Sequence, residues 1–382
     1  MVSSTIRGLL FSLPLIAYPF SQHAFQRPAQ AATEDLARVS LNEASAVEVP
    51  SLPAESIVAP LSCDSEGRIL FRLAMPDTGV EDPVSVSPDG QTVVRFGREK
   101  ISDIPQPVLS RMFLAGTDVY ILARGRLPLG YETKWRTPSG DVQIQQASRT
   151  STFVTLFRRD GTYVAAVPLD LPFAPQQLGV FENGDFLLAG VDKSRSEPRV
   201  AIVGPNGQIR RFVELEGDVH AERGGGTASK DKDSGALPRF KSSQDVQEPF
   251  FDVVSTSQIV RDGPNLLLFR PLDRPIFSIS PSGEVRAHRL KIQGNYRLFT
   301  IKPSRNVWIV ELIRDLSRSA AQEFSTYAFD PETGALLREY LFPKNLGWGL
   351  ACTDGNEFTF VEADEKKNAL RLVTFAPPAN SN

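Results

Sequence analysis

The chain has 382 residues, of which 41% are hydrophobic and 23% charged, and its net charge is −3 at pH 7. These values are ordinary for a globular protein with a sizeable core. The slight acidic excess gives no electrostatic basis for binding DNA, RNA or an anionic membrane, so we expect no nucleic-acid partner.

Residues 1–31 have the pattern of a secretory signal peptide. Arg7 precedes an apolar run at residues 8–20, and small residues at Ala29 and Ala31 suit cleavage. The apolar run is shorter than the roughly 20 residues that a membrane-spanning helix needs. We therefore expect export to the periplasm or the extracellular space, with no membrane span after cleavage. The alternative is an uncleaved N-terminal anchor.

Residues 32–43 are predicted to be a linker, and residues 44–376 repeat one local pattern. A β-prone run, a tight turn built on Gly, Asp, Asn or Ser, and a second β-prone run follow one another again and again, which is the sequence pattern of β-hairpins. The predicted turns are Glu66-Gly67, Asp89-Gly90, Gly116-Thr117, Asp160-Gly161, Asn183-Gly184, Asn206-Gly207, Asp262-Gly263, Ser282-Gly283, Ser304-Arg305, Thr333-Gly334 and Asp354-Gly355.

Taken in pairs, these hairpins give five four-stranded units and a sixth that lacks its outer strand. The β-prone segment 44–52 lies just before the first hairpin and can supply that strand, which would close a ring and remove its exposed edge. The sequence therefore predicts an all-β, six-bladed β-propeller closed by an N-terminal strand that completes the last blade. Residues 377–382 form a tail.

Several hairpins resemble those of NHL-type six-bladed propellers. The segments TYAFDPETGALLREYLF (326–342), TLFRRDGTYVAAVPL (155–169) and LACTDGNEFTFVEAD (350–364) carry this resemblance, and SPDGQTVVRF (87–96) is similar to a hairpin of the TolB-like propellers. The resemblance covers residues 55–375 at the level of turns. It implies the propeller fold and no particular activity, because propellers host protein-binding, RNA-binding, structural and enzymatic members.

Long connections are predicted to share one face of the disc. Residues 125–150, 216–249 and 313–323 all fall between second and third strands or between blades, opposite the tight turns. Long loops on a rigid scaffold often carry recognition. The segment 216–249 is rich in Gly, Ser and charge and reads as a flexible insertion, with a lid ordered by a partner as the alternative.

The loop at 125–150 is the predicted binding element. Tyr, Trp and Arg are the residue types enriched in interaction hot spots. The alternative is a loop whose Trp packs over its own blade while its charges are solvated. The candidate binding residues are Arg126, Tyr131, Lys134, Trp135 and Arg136.

The two cysteines, Cys63 and Cys352, each end the first strand of a blade, and closure of the ring would make those blades neighbours. In an exported protein an even pair is a disulfide candidate. Two buried free thiols are the alternative. Arg111, Arg261 and Lys302 lie on predicted inner strands and are candidates for a basic central channel.

Catalytic chemistry has little support in the sequence. His288, flanked by arginines, is predicted to be a surface strand residue, and neither a catalytic cluster nor a zinc-ligand cluster is apparent. Acidic residues recur near the predicted turns, where their turn propensity explains them without a metal. No catalytic residue, metal or cofactor is assigned.

The sequence thus favours an exported, non-enzymatic module that binds a protein, peptide or glycan through the face with loops 125–150 and 216–249. The alternative function is a calcium-dependent hydrolase or lyase with its site in the central channel.

Overall fold

The described chain is almost entirely β-structure. Its one helical segment is a single 3₁₀ turn at Arg98–Lys100. The predicted signal peptide, residues 1–31, and the predicted insertion, residues 216–249, lie outside the described residues. The computed structural model describes residues 36–50, 52, 57–74, 81–138, 140–192, 194, 197–215, 257–270, 275–292, 296–315, 322–344, 346, 349–364 and 366–378.

The first two strands precede the blades, and blades one to three then follow in chain order as antiparallel four-stranded meanders. The first two strands are β1 (Ala37–Ser40) and β2 (Asn42–Val49). Blade one contains β3 (Ile57–Cys63), β4 (Ile69–Ala74), β5 (Glu81–Val86) and β6 (Val93–Arg95). Blade two contains β7 (Val108–Ala115), β8 (Asp118–Arg136), β9 (Val142–Phe157) and β10 (Tyr163–Leu169). Blade three contains β11 (Ala174–Val180), β12 (Phe186–Asp192), β13 (Glu197–Val203) and β14 (Ile209–Val213).

Blades four to six continue the same pattern, except that blade six has three strands of its own. Blade four contains β15 (Gln258–Asp262), β16 (Asn265–Phe269), β17 (Ile276–Ile279) and β18 (Val285–His288). Blade five contains β19 (Tyr296–Ser304), β20 (Val307–Asp315), β21 (Gln322–Phe329) and β22 (Leu336–Leu341). Blade six contains β23 (Leu350–Thr353), β24 (Phe358–Asp364) and β25 (Ala369–Ala376).

The missing strand of blade six comes from the N-terminal side of the chain, as predicted. Strand β2 pairs antiparallel with β25, from Asn42 opposite Ala376 to Val49 opposite Leu370. Inner strands of successive blades contact one another from blade two round to blade one, including β23 of blade six with β3 of blade one, and β5 of blade one contacts β7 of blade two. The predicted six-bladed, strand-closed propeller is therefore confirmed.

A second N-terminal strand was not predicted. Strand β1 runs parallel to β22 and adds a fifth strand to blade five, with Ala37 opposite Arg338. A single residue, Leu41, separates β1 from β2; its side chain is buried and its N–H donates to the Leu341 carbonyl at 2.9 Å. The range 32–43, predicted as a linker, thus contains a strand that ties blade five to blade six.

The closing strand is also held against blade one. Gly90, in the turn between β5 and β6, has φ +69°, and a Cβ atom there would lie 2.7 Å from the Glu48 carbonyl oxygen. Only glycine allows this approach without a shift of the backbone. Val49, at the end of β2, packs in one apolar cluster with residues of blades one and six. We call the junction of blades five, six and one the seam.

The prediction that His288 lies on the surface was wrong. It is 8% exposed, and its ring lies edge-on to Trp308, with 5.1 Å between the ring centroids. Burial lowers its pKa. The flanking arginines suggested a surface position, but the imidazole at the end of β18 packs against Trp308 of blade five, whereas Arg286 forms an ion pair with Glu332.

Candidate functional site

The segment between the second and third strands of blade two is a long β-ribbon. Strand β7 pairs with β8 only as far as Arg124, and β10 pairs with β9 only as far as Thr152. Beyond these points β8 and β9 pair with each other up to Arg136 opposite Val142. We call residues 125–151 the ribbon.

A tight turn closes the ribbon. The Thr137 N–H donates to the Asp141 carbonyl at 2.9 Å, and the Asp141 N–H donates to the Thr137 hydroxyl at 3.2 Å. Gly140 has φ +91°, a backbone conformation that favours glycine. Register shifts between Pro128 and Glu132, which marks a β-bulge and a local bend.

The prediction of a loop at 125–150 was therefore wrong, because β8 and β9 continue through most of this segment. The signal that could have revealed a hairpin is the Ser-Gly-Asp sequence at 139–141 between two β-prone runs.

The ribbon exposes apolar side chains. Leu129 is 42% exposed, Tyr131 57%, Val142 54% and Ile144 56%. Lys134 lies opposite Ile144 in the ladder, and cross-strand partners point to the same face. One face of the ribbon tip therefore presents two aliphatic side chains beside two cations, the second being Arg136 opposite Val142.

The structure brings the predicted binding residues onto this one element. Arg126, Tyr131, Lys134 and Arg136 are all exposed on β8. The Trp135 backbone pairs with Gln143, while its side chain lies outside what the structure describes. The ribbon contains four basic and two acidic residues, a net charge of +2 in a chain of net −3.

The three basic channel candidates make separate contacts. Arg261 donates to the Val180 carbonyl at 2.6 Å and lies 3.8 Å from the Glu182 carboxylate, both in blade three. Lys302 instead donates through Nζ to the Leu61 carbonyl of blade one. Arg111, on β7, is half-buried and has a partner of its own. The contacts of Arg261 and Lys302 thus lie in different blades, three and one.

Lys302 belongs to a polar cluster at the seam that the sequence analysis recognised only in part. It lies near Cys63, Cys352 and Glu311, so that β3, β19, β20 and β23 each contribute one side chain. The register of β3 shifts between Val58 and Ser62, and this irregularity leaves the Leu61 carbonyl available to the lysine.

Glu311 is the residue of this cluster that the sequence analysis missed. Its side chain is 1% exposed, and neither carboxylate oxygen has a hydrogen-bond partner of standard geometry among the described residues. Burial raises its pKa to about 8, although Lys302 and the Leu350 N–H oppose the rise. The one sequence signal was a lone Glu inside the apolar strand VWIVELI (307–313).

The two cysteines are neighbours, as ring closure required. Both are free thiols and half-buried, and the two side chains are hydrogen-bonded to each other. This hydrogen bond, supported by Lys302 and opposed by burial, lowers the pKa of Cys63. Burial raises the pKa of Cys352.

Two of the acids near the turns, Asp64 and Asp354, stabilise those turns, whereas Asp262 accepts a hydrogen bond from the Trp308 indole N–H at 3.0 Å. Asp64 accepts the N–H groups of Glu66 at 2.9 Å and Arg68 at 2.8 Å, and Asp354 accepts the N–H group of Asn356 at 2.8 Å. No group of three or more His, Cys, Asp or Glu side chains with metal-binding geometry occurs in the described part of the chain. Within the same residues, no helix has the length and apolar character to cross a bilayer.

Comparisons with known proteins assign no family. No family model and no curated protein matches the chain. Among solved structures it is similar to an exported protein of Bacteroides fragilis, at 12% identity over 89% of this chain and 99% of that one, with a TM-score of 0.49. It is also similar to virginiamycin B lyase from Staphylococcus aureus, at 10% identity over 87% and 99% of the two chains, with a TM-score of 0.42. A protein of unknown function from Bacteroides caccae, at 11% identity over 73% and 80%, has a TM-score of 0.39.

The six-bladed propeller is established by the sheet topology of this chain itself. The narrower assignment to the NHL or TolB-like type stays a prediction, because no family model matches.

Proposed function

We propose that this chain is an exported, non-enzymatic β-propeller that binds a partner protein through the ribbon of blade two. The observation that carries the proposal is the extension of β8 and β9 beyond their own blade, with exposed apolar residues on the tip. Export is the expectation from residues 1–31.

The backbone of the ribbon favours a partner that binds as an added strand. From residue 127 to 136 no described strand lies beside the outer edge of β8, and the same holds for β9 before Thr152. At the base of the ribbon the Arg126 N–H donates to the Pro105 carbonyl at 3.3 Å. Unpaired edges of this kind accept extended segments of other chains through main-chain hydrogen bonds, while side-chain pockets supply specificity.

The charges of the ribbon indicate which kind of partner segment would bind at its edge. Lys134 and Arg136 flank the exposed Val142 and Ile144 on one face. An extended segment that alternates acidic and aliphatic residues complements both the cations and the apolar surface. Electrostatic complementarity of this type speeds association and weakens with added salt.

A peptide of defined sequence tests the proposal before the natural partner is identified. The probe is a fluorescent peptide of alternating Glu and Val, and its matched control replaces each Glu by Lys. We expect the acidic peptide to bind the purified protein, to bind more weakly as salt rises, and to outcompete the basic peptide. Fluorescence anisotropy measures all three.

Two variants localise the binding. In the first, residues 128–148 are replaced by Asn-Gly, which joins the paired residues Leu127 and Arg149 in a two-residue hairpin. In the second, Lys134 and Arg136 become Glu; its control reverses the exposed Arg98 and Arg158 elsewhere on blades one and two. Both ribbon variants should lose binding and the control should keep it. Equal binding by the shortened variant would contradict the proposal.

A further inference from the structure

The polar cluster at the seam has no role in binding through the ribbon. Cys63, Lys302 and Cys352 lie near the ends of inner strands that lead into tight turns, whereas the ribbon leaves the other end of its strands. In an antiparallel meander these ends belong to opposite faces. The cluster therefore requires a separate explanation.

Stability alone is a poor explanation for this cluster. A half-buried Lys beside a buried Glu whose carboxylate oxygens have no hydrogen bond of standard geometry costs free energy, and apolar residues of similar size usually serve a core as well or better. Titratable groups that perturb one another in a partly buried site are candidates for chemistry. Here the groups that they surround are two thiols on the adjacent strands β3 and β23, both packed against the same apolar cluster.

We propose that Cys63 and Cys352 are a redox-active pair that closes to a disulfide between the first and last blades. Cys63 is the sulfur that reacts first, and the oxidant is a small disulfide such as oxidised glutathione. The bond would add a covalent link where β2 already closes the ring by hydrogen bonds.

The side chains around the two sulfurs indicate which sulfur reacts first. Cys63 is the last residue of β3, is hydrogen-bonded to Cys352 and lies near Lys302; the hydrogen bond and the lysine both lower its pKa and favour its thiolate. Burial and the same hydrogen bond raise the pKa of Cys352, which favours its protonated thiol. Thiolates, not thiols, attack disulfides.

Lys302 and Glu311 favour a negative charge on the Cys63 sulfur. Burial lowers the pKa of Lys302, which makes its amine a base able to take the proton of Cys63. Since burial also keeps the Glu311 carboxyl largely protonated at neutral pH, the ammonium that forms has the Cys63 thiolate as its anionic neighbour. Asp64 is the further acid near both sulfurs.

The reaction balances in two exchanges. The Cys63 thiolate attacks one sulfur of oxidised glutathione, the S–S bond of glutathione breaks, and the released thiolate takes the proton held by Lys302. The neutral Lys302 amine then takes the proton of Cys352, whose thiolate attacks the Cys63 sulfur of the mixed disulfide; the second glutathione leaves as a thiolate and takes that proton from Lys302. Two protein thiols are oxidised by two electrons, and one oxidised glutathione becomes two reduced molecules.

The first experiment equilibrates the purified full chain with oxidised glutathione, alkylates the remaining thiols and measures intact mass and peptides. We expect no alkylation after oxidation, a peptide linked through Cys63 and Cys352, and two alkylated cysteines after reduction. The Cys352→Ser variant should accumulate the mixed disulfide on Cys63, whereas Cys63→Ser should form it far more slowly. Two alkylatable thiols after oxidation, or a disulfide only between molecules, would overturn the proposal.

The second experiment measures the rate of iodoacetamide alkylation of Cys63 against pH in the Cys352→Ser and wild-type proteins. We expect the wild-type midpoint below the value of about 8.5 for an ordinary thiol. Lys302→Met should slow alkylation at pH 7 by about tenfold or more, one unit of pKa being a factor of ten. Lys366→Met, an exposed control, should not. A wild-type midpoint at or above the ordinary value would overturn the assigned order even if the lysine variant fails to fold.

Discussion

The ribbon and the seam are both built from paired β-strands, but the outer strand edges are covered at the seam and uncovered in the ribbon. At the seam, β1 and β2 cover the outer edges of blades five and six, and residues such as Leu41 and Val49 are almost completely buried. In the ribbon, no described strand covers the outer edges of β8 and β9, and Tyr131 and Ile144 lie in solvent. An edge that is covered stabilises the fold, and an edge that is left open is available to a partner. This comparison predicts that substitutions at the two regions have separate consequences.

The largest effect is expected from a matched pair of Leu→Ala substitutions. Leu41 is 2% exposed and packs with aromatic residues of blades five and six, whereas Leu129 of the ribbon is 42% exposed. Leu41→Ala should lower the free energy of unfolding by about 2–5 kcal/mol, because it removes buried methyl groups and leaves a cavity. Leu129→Ala should lower it by less than about 1 kcal/mol. Urea denaturation measures both, and equal losses would contradict the comparison.

A pH-dependent effect is expected from Glu311. Its pKa of about 8 lies above the ordinary value of 4.5, so the folded protein binds more protons than the unfolded chain between these values. Stability from the protonated carboxyl is therefore full at low pH and is lost as pH rises through about 8. Glu311→Gln should remove this loss and change the difference from wild type by about 2–5 kcal/mol between pH 5 and 8.

Lys302, with a lowered pKa, acts in the opposite direction, and so the quantity to compare is the difference between variant and wild type at each pH. The exposed Glu284→Gln is the control and should show a constant difference. If the Glu311→Gln curve runs parallel to wild type, the carboxyl is not buried as described.

A smaller effect on stability is expected from shortening the ribbon. The replacement of residues 128–148 by Asn-Gly keeps Leu127, which packs on the core of blade two, and removes mostly exposed side chains. The free energy of unfolding should change by less than about 1 kcal/mol. A cooperative loss of several times this amount would show that the ribbon is part of the scaffold.

The smallest effect is expected at the surface pair of Arg159 and Glu66, which joins turns of blades one and two with 2.7 Å between guanidinium and carboxylate atoms. Both side chains are exposed, and such pairs are screened by salt. Arg159→Ala should leave the thermal midpoint nearly unchanged at about 0.15 M salt, the physiological ionic strength. A large shift that persists at high salt would show that these turns hold the blades together.

Sequence patterns predicted the repeated hairpins, because the conformation of turns with Gly, Asp and Asn depends mainly on the turn residues themselves. The pairing of β2 with β25 was also predictable, since the count of hairpins left one blade a strand short. Strand β1 was missed because blade five already has four strands from its own hairpins, so the hairpin count does not call for a fifth strand.

The seam cluster illustrates what local patterns cannot show. Cys63 and Cys352 were recognised as a pair because of their places in the repeat, yet the contribution of Glu311 depends on its burial and on the approach of Lys302 from an adjacent strand. The ribbon was missed for a related reason, because the pairing of β8 with β9 beyond Arg124 depends on contacts between two segments that a local pattern does not show.

Hydrogen exchange of the purified protein, alone and with the acidic peptide, tests the division between seam and ribbon most directly. The account predicts slow exchange of β2 and β25 in both samples, and fast exchange of ribbon residues 125–136 that becomes slow when the peptide is bound. Ribbon amides as slow as those of β2 in the free protein and unchanged by the peptide, or β2 amides as fast as those of the ribbon, would contradict it.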